Sequence, residues 1–229
     1  MQTHTLQDEA GSFQVSVREA EKHSLAVLFA VGAGGDPERH VTLLDSLTEA
    51  GCVVIAPHFQ RLTSLMPTEA ELTLRARRLC LALRTFAQPD TTVVGVGHSI
   101  GAATLLALAG GQMWLRTDGC VSIESNIQLT RLVLLATPTG FFQAPGALSA
   151  VRVPILVWVG STDNITPPAQ SEWLAQTMRG WQPVDVHVTD GAGHFSFMDQ
   201  PPPQTIEPLQ DKQAFLREYS SEVCRFVFG

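Results

Sequence analysis

The run TTVVGVGHSIGAA, residues 91–103, constrains the fold more than any other stretch of this chain. It reads as a β-branched strand, then Gly-x-Ser-x-Gly, then the start of an Ala/Leu-rich helix over 102–109. A serine on so sharp a strand-to-helix turn has its hydroxyl lifted clear of the sheet, with a helix N-terminus beneath it. A nucleophile needs those conditions: an exposed Oγ, backbone N–H groups nearby, and a dipole that favours developing negative charge. The turn leaves no room for side chains two residues before the serine or two and three after it. Gly97, Gly101 and Ala102 occupy those positions. The motif alone is common in loops, so the rest of the chain must supply the partners.

Around this run, apolar strands alternate with amphipathic helices, the pattern of a mostly parallel sheet covered on both faces. Strands are expected over 13–18, 24–31, 52–56, 91–98, 131–136, 153–159 and 184–188. Helices are expected from Pro37 to about Gly51, from Thr68 to about Ala87, after Ser99, over 168–179 and over 207–228. Thr68 followed by Glu71 is a capping-box spacing. Two segments break the rhythm: 110–130, where Asp118-Gly119 suggests the turn of a small hairpin, and 138–150, with Phe141 and Phe142. These two phenylalanines either line an apolar pocket or simply cover the sheet. The 229 residues, 45% hydrophobic, fit one α/β domain over 1–229.

Partners are narrowed by charge. A formal charge of -7 and no Lys/Arg cluster argue against nucleic acid; Arg75, Arg77 and Arg78 read as one solvated helix face. No stretch of about 18 apolar residues suggests a membrane span, and the polar start, 1–11, has no signal-like apolar core. Cys52, Cys80, Cys120 and Cys224 follow no metal or redox spacing, which points to reduced thiols and a cytoplasmic location. No His/Cys/Asp group has ligand spacing, so no metal is expected. The glycines at 32, 34 and 35 lack both the phosphate-loop Lys-Ser/Thr pair and the dinucleotide fingerprint, so no cofactor is expected.

A serine hydroxyl needs a base, and the base needs a carboxylate to fix its tautomer. Of seven histidines, His4 and His23 precede the sheet core, His40 falls in a helix and His187 in a strand. His98 adjoins the serine, but a tight turn points it the other way. His58 follows a strand at the edge where such sheets bind ligands, and reads as a pocket residue. His194 lies in a Gly-rich loop after the last strand, flanked by aromatics, and is the expected base. The acid is Asp163, which leaves a buried strand at the same sheet edge. The competing strand end offers Thr137, Pro138 and Thr139 with no carboxylate, Asp190 is too near His194 in the chain, and Asp199 belongs to the final loop.

Ser99, Asp163 and His194, in that order and each after a strand, resemble the α/β-hydrolase triad. The flanks Gly97 to Gly101, Gly160 to Pro167 and Gly191 to Phe195 are similar to that superfamily's three signatures, and the likeness runs over 13–228. Within it, the short chain with little room for a cap resembles the dienelactone-hydrolase-like group, although Ser99 stands where dienelactone hydrolases proper have cysteine. The resemblance implies a serine hydrolase acting on a small-molecule carboxylic ester through an acyl-enzyme. An acyltransferase and a non-catalytic binding protein on the same scaffold are the alternatives. It also implies an oxyanion hole from the N–H of Ile100 and one in the loop 31–35, with Ala33 the best match and Gly34 the other choice. Many relatives have a His-Gly pair where this chain has Val31-Gly32, so a polar side chain that often braces this loop is missing.

Overall fold

A computed structural model describes residues 1–20, 25–64, 66–116, 119–123 and 125–229. The chain opens with an antiparallel pair, β1 (Gln2–Asp8) and β2 (Gly11–Arg18). The polar sequence of β1 shows no strand pattern. It pairs nonetheless because it lies at the sheet edge, where most of its side chains meet solvent. Arg78 fixes its far end, donating to both carboxylate oxygens of Asp8 at 2.8 and 3.1 Å.

β3 (Leu25–Ala30), α1 (Val41–Glu49) and β4 (Cys52–Pro57) follow, with a 3-10 turn, Pro37–His40, leading into α1. Ser24, expected to open β3, lies outside the described residues, as do His23 and Asp118. α2 (Glu69–Phe86) starts at the expected capping box, where Thr68 Oγ1 accepts from Glu71 N–H and the Glu71 carboxylate accepts from Thr68 N–H. β5 (Thr92–His98) runs into α3 (Ile100–Leu108), all nine residues of which are buried. Two-residue strands β6 (Trp114–Leu115) and β7 (Gly119–Cys120) pair antiparallel, the hairpin expected there. The last elements are β8 (Arg131–Leu135), β9 (Ile155–Gly160), α4 (Pro168–Met178), β10 (Val184–Thr189) and α5 (Lys212–Phe228).

The eight-stranded sheet has the order β1-β2-β4-β3-β5-β8-β9-β10, parallel from β4 onward. Alternate residues of its central strands feed two cores, as the period of two requires. Leu25, Val27 and Phe29 of β3 pack with α1 and α5, whereas Ala26, Leu28 and Ala30 pack with α2 and α3. Residues 207–211 do not join α5, contrary to expectation. The Glu207 carboxylate is taken up by Ser196 Oγ at 2.6 Å and Leu209 N–H at 3.2 Å, and Asp211 caps the helix by accepting from Ala214 N–H.

The arginine face of α2 also differs from expectation. Arg77 is exposed, but Arg75 and Arg78 are buried at 3% and 6% exposure. Their donors reach backbone carbonyls and Asp8, which lie more than forty residues away in the chain. Among the described residues, no helix is long and apolar enough to cross a membrane.

Candidate active site

Ser99 stands between β5 and α3 at φ 54° and ψ -128°, a conformation that L residues rarely hold without enforcement. Close packing supplies the enforcement. A Cβ at Gly97 would sit 2.8 Å from Ala102 N, and one at Gly101 would sit 2.0 Å from Ala30 O, so neither position admits a side chain. The Ser99 N–H donates to Leu135 O at 2.8 Å and ties the turn to the end of β8.

Three distant loops converge here. Ser99 Oγ lies 3.1 Å from His194 Nε2, and His194 Nδ1 lies 2.8 Å from Asp163 Oδ2. Asp163 is 3% exposed and its carboxylate is fully engaged. Oδ1 accepts from the N–H groups of Ile165 and Thr166, both at 2.8 Å, and Oδ2 accepts from Thr166 Oγ1 at 2.7 Å as well as from His194. Burial is the largest influence on this carboxyl and pushes its pKa up. The hydrogen bond and charge of His194 and the two Thr166 donors outweigh it, so the net shift is downward. Asp163 is thereby ionised at neutral pH, which places the His194 proton on Nδ1 and leaves the Nε2 lone pair to accept from the Ser99 hydroxyl.

The sequence reading missed what holds His194. The His98 side chain points away from the elbow, as expected, but into a buried niche where its Nε2–H donates to His194 O at 2.9 Å. Its ring lies 5.0 Å from that of His194 and 5.1 Å from that of His40. His40 is also buried and donates from Nδ1 to Phe197 O at 3.1 Å. Burial pushes the pKa of His98 well down, with the charges of His194 and His40 adding to it, and lowers that of His40 to about 4. Both are neutral at neutral pH. The signal was present at His98, inside the Gly-x-Ser-x-Gly motif, but nothing in the sequence marked its acceptor.

The remaining expected residues divide. Ile100 opens α3, so its N–H has no preceding turn to bond. The loop 31–35 packs against the elbow, since a Cβ on Gly32 would stand 3.3 Å from Ser99 Cβ. Among the described residues, neither Ala33 N–H nor Gly34 N–H donates elsewhere. His58 lies at a cavity, but not one beside the triad: its Nε2 bonds Ser16 Oγ at 2.8 Å, and Nδ1 faces Asp36 at 3.8 Å. It lines a cavity of about 420 Å³ with Phe59 and Arg75, and no triad residue lines that cavity. For Phe142 the structure favours the second of the two readings. The residue is 1% exposed, with its ring packed on Gly111, and so covers the sheet; Phe141 is half-buried on the same core. A different cavity, of about 370 Å³, borders His194 and is walled by Ile165, Phe195, Ile206 and Pro208. Among the described residues, no group of three or more His, Cys, Asp or Glu is placed to hold a metal.

No family model and no curated protein sequence matches this chain. Solved structures do. An alpha-beta serine hydrolase homologue from Coxiella burnetii superposes with a TM-score of 0.68 at 17% identity, covering 98% of this chain and 96% of its own. A thermophilic esterase from the planctomycete Thermogutta terrifontis superposes at 0.65 and 15% identity, covering 97% and 92%. That esterase has also been solved phosphoramylated by tabun, and this form superposes at 0.65 and 14% identity, covering 96% and 94%. The chain has the α/β-hydrolase fold.

Proposed function

We propose that this chain is a serine hydrolase cleaving a carboxylic ester of a small molecule through an acyl-enzyme. The observation that carries this reading is the continuous chain from Ser99 Oγ through His194 to a fully engaged, ionised Asp163, built on a strained serine. The likeness to an esterase, although it shows only the fold, agrees with ester chemistry.

Ser99 Oγ attacks the ester carbonyl carbon while its proton passes to His194 Nε2. The carbonyl π pair moves onto oxygen, and the N–H groups of Ile100 and Ala33 hold the resulting oxyanion. Collapse of the tetrahedral intermediate expels the alcohol, which takes the proton from His194 Nε2. Water then repeats the sequence on the acyl-serine and releases the acid. Asp163 stabilises the imidazolium in both halves without taking its proton.

Fluorophosphonate labelling combined with turnover of p-nitrophenyl butyrate tests this. The wild type should be labelled on Ser99, and S99A should remain folded, escape labelling and lose roughly 10⁴-fold or more in kcat. D163N should fall by a similar order, since it presents the wrong partner to Nδ1. Near-normal turnover by folded S99A would remove the assignment. The connection between β8 and β9, whose one helical element is the 3-10 turn Thr139–Phe142, supports a place beside the small dienelactone-hydrolase-like enzymes, with an ester as substrate. Four free thiols, two of them buried, support a cytoplasmic setting.

A further inference from the structure

The loop 31–35 lies against Ser99, yet Val31 is apolar and no side chain within the loop fixes its peptide planes. The fixing group comes from α2. Arg75 Nη1 donates to Val31 O at 3.0 Å and Nη2 donates to Gly32 O at 3.3 Å. The guanidinium is seated over the Phe59 ring, 4.6 Å from its centroid, and has no carboxylate ion-pair partner among the described residues. A buried cation whose only hydrogen-bond acceptors are two adjacent peptide carbonyls is costly to keep unless those carbonyls need it.

Peptide geometry shows what they need. In a planar trans peptide the C=O and the N–H point in opposite directions. The Gly32 carbonyl and the Ala33 N–H belong to one peptide, so turning the carbonyl toward Arg75 turns that N–H away from α2. The Val31 carbonyl and the Gly32 N–H are coupled in the same way. The neighbouring peptides are held by the segment after β4, with Leu62 N–H donating to Ala33 O at 2.9 Å and Phe59 N–H donating to Gly35 O at 2.8 Å. Gly35 N–H also donates to Gly32 O at 3.2 Å, closing the turn.

We propose that Arg75 is the positioning residue of the oxyanion loop, aiming the Ala33 N–H at the space beside Ser99 by holding the carbonyls of Val31 and Gly32 from behind. This rests on the serine-hydrolase reading. A cation on the carbonyl also polarises that peptide, which makes its N–H a stronger donor when negative charge develops opposite. Burial lowers the pKa of Arg75 to about 10, so the guanidinium is charged at neutral pH.

The test compares wild type, R75M and R75K with p-nitrophenyl butyrate, counting active sites by fluorophosphonate labelling. Affinity for a trifluoromethyl ketone, which forms a tetrahedral oxyanion on the serine, is measured alongside. R75M should lose about 10- to 100-fold in kcat per labelled site, with KM changed by less than about threefold. Its affinity for the ketone should fall in parallel with kcat/KM. R75K, which keeps the charge but not the two-pronged fork, should lie between. A role in stability alone would lower the melting temperature and the number of labelled sites, while leaving kcat per site and ketone affinity unchanged. That result would overturn the proposal. If R75M does not fold, kcat per site in R75K within twofold of wild type overturns it equally. Failure of the wild type to label on Ser99 would instead overturn the hydrolase reading, and this proposal with it.

Discussion

Acid should destabilise this protein in a pH window set by buried histidine, one that opens well before the carboxylates titrate. His40 is fully buried, and burial is the main reason its pKa falls from 6.5 to about 4; the charges of Arg39 and Lys212 act in the same direction, while the bond to Phe197 O opposes them. Between those two values the unfolded chain binds a proton at this position and the folded chain does not. Protons therefore favour unfolding, and stability rises with pH through the window. At 1.36 kcal/mol per unit, the limiting cost below about pH 4 is about 3 kcal/mol, and at pH 4.5 it is between about 2 and 3 kcal/mol. His98 adds to it with the same sign. The carboxyls of Asp8, Glu38 and Asp163 are held low, so their contribution is present above their ordinary values, 4.5 for Glu38 and 3.8 for the two aspartates, and is lost as pH falls through and below them. Urea unfolding at pH 8 and pH 4.5 measures the total. H40Q keeps a donor for the Phe197 carbonyl but cannot titrate, so its loss between the two pH values should be smaller than that of wild type by about 2 kcal/mol or more. An equal loss in the two proteins would refute the assignment of the window to His40.

Two further outcomes are expected. G101A places a Cβ 2.0 Å from Ala30 O, a backbone atom that cannot swing aside, so it should cost at least about 3 kcal/mol in urea unfolding; a melting temperature near that of wild type would mean that β3 and the elbow are less closely opposed. With Phe142 in the core and only a 3-10 turn between β8 and β9, little apolar surface remains to cover a long acyl chain, and each buried CH₂ would be worth about 0.8 kcal/mol. Across p-nitrophenyl esters, kcat/KM should peak at about two to six carbons, and a tenfold preference for twelve carbons over four, about 1.4 kcal/mol, would contradict this.

How much could be read without the structure followed from how local each signal was. The parallel strands were legible because burial on both faces writes itself as unbroken apolar runs, as in β3, β4 and β9. The capping box of α2 and the hairpin of β6 and β7 were legible because both depend on residues within a few positions. Ser99, Asp163 and His194 were found by topology, since each follows a strand at one sheet edge. β1 was hidden because an edge strand wetted on most of its length needs no apolar pattern, only a partner. Arg75 and Arg78 look like any charged helix face; what buries them is a set of acceptors on β1, β2 and the loop after β3. Which cavity His58 would reach was not legible, because a strand end at the right sheet edge says nothing about which neighbour captures the side chain, and Ser16 does.

The two loops that frame Ser99 are held by the same device from opposite sides. In each, the groups facing the serine are left free, and the grip falls on backbone carbonyls that face away from it. Arg75 takes the carbonyls of Val31 and Gly32; His98 and His40 take those of His194 and Phe197, while Asp199 from the same loop accepts from Thr42 N–H at 3.0 Å at the start of α1. An apolar substitute at His98 would leave the buried carbonyl of His194 without its donor, at about 1–3 kcal/mol, whereas the Phe197 carbonyl shares His40 with the Tyr219 hydroxyl, which donates to it at 3.0 Å. The charge assignment is as particular as the geometry. A neutral imidazole has one N–H, enough for one carbonyl, and a protonated His98 would set a positive charge 5.0 Å from the His194 ring, which the proposed mechanism makes positive when Ser99 gives up its proton. On the proposed mechanism the loop 31–35 poses the opposite requirement, because there a fixed positive charge behind the peptide would assist the negative charge that develops in front of it. A buried arginine on one side and two neutral, buried histidines on the other meet these opposite demands at one serine.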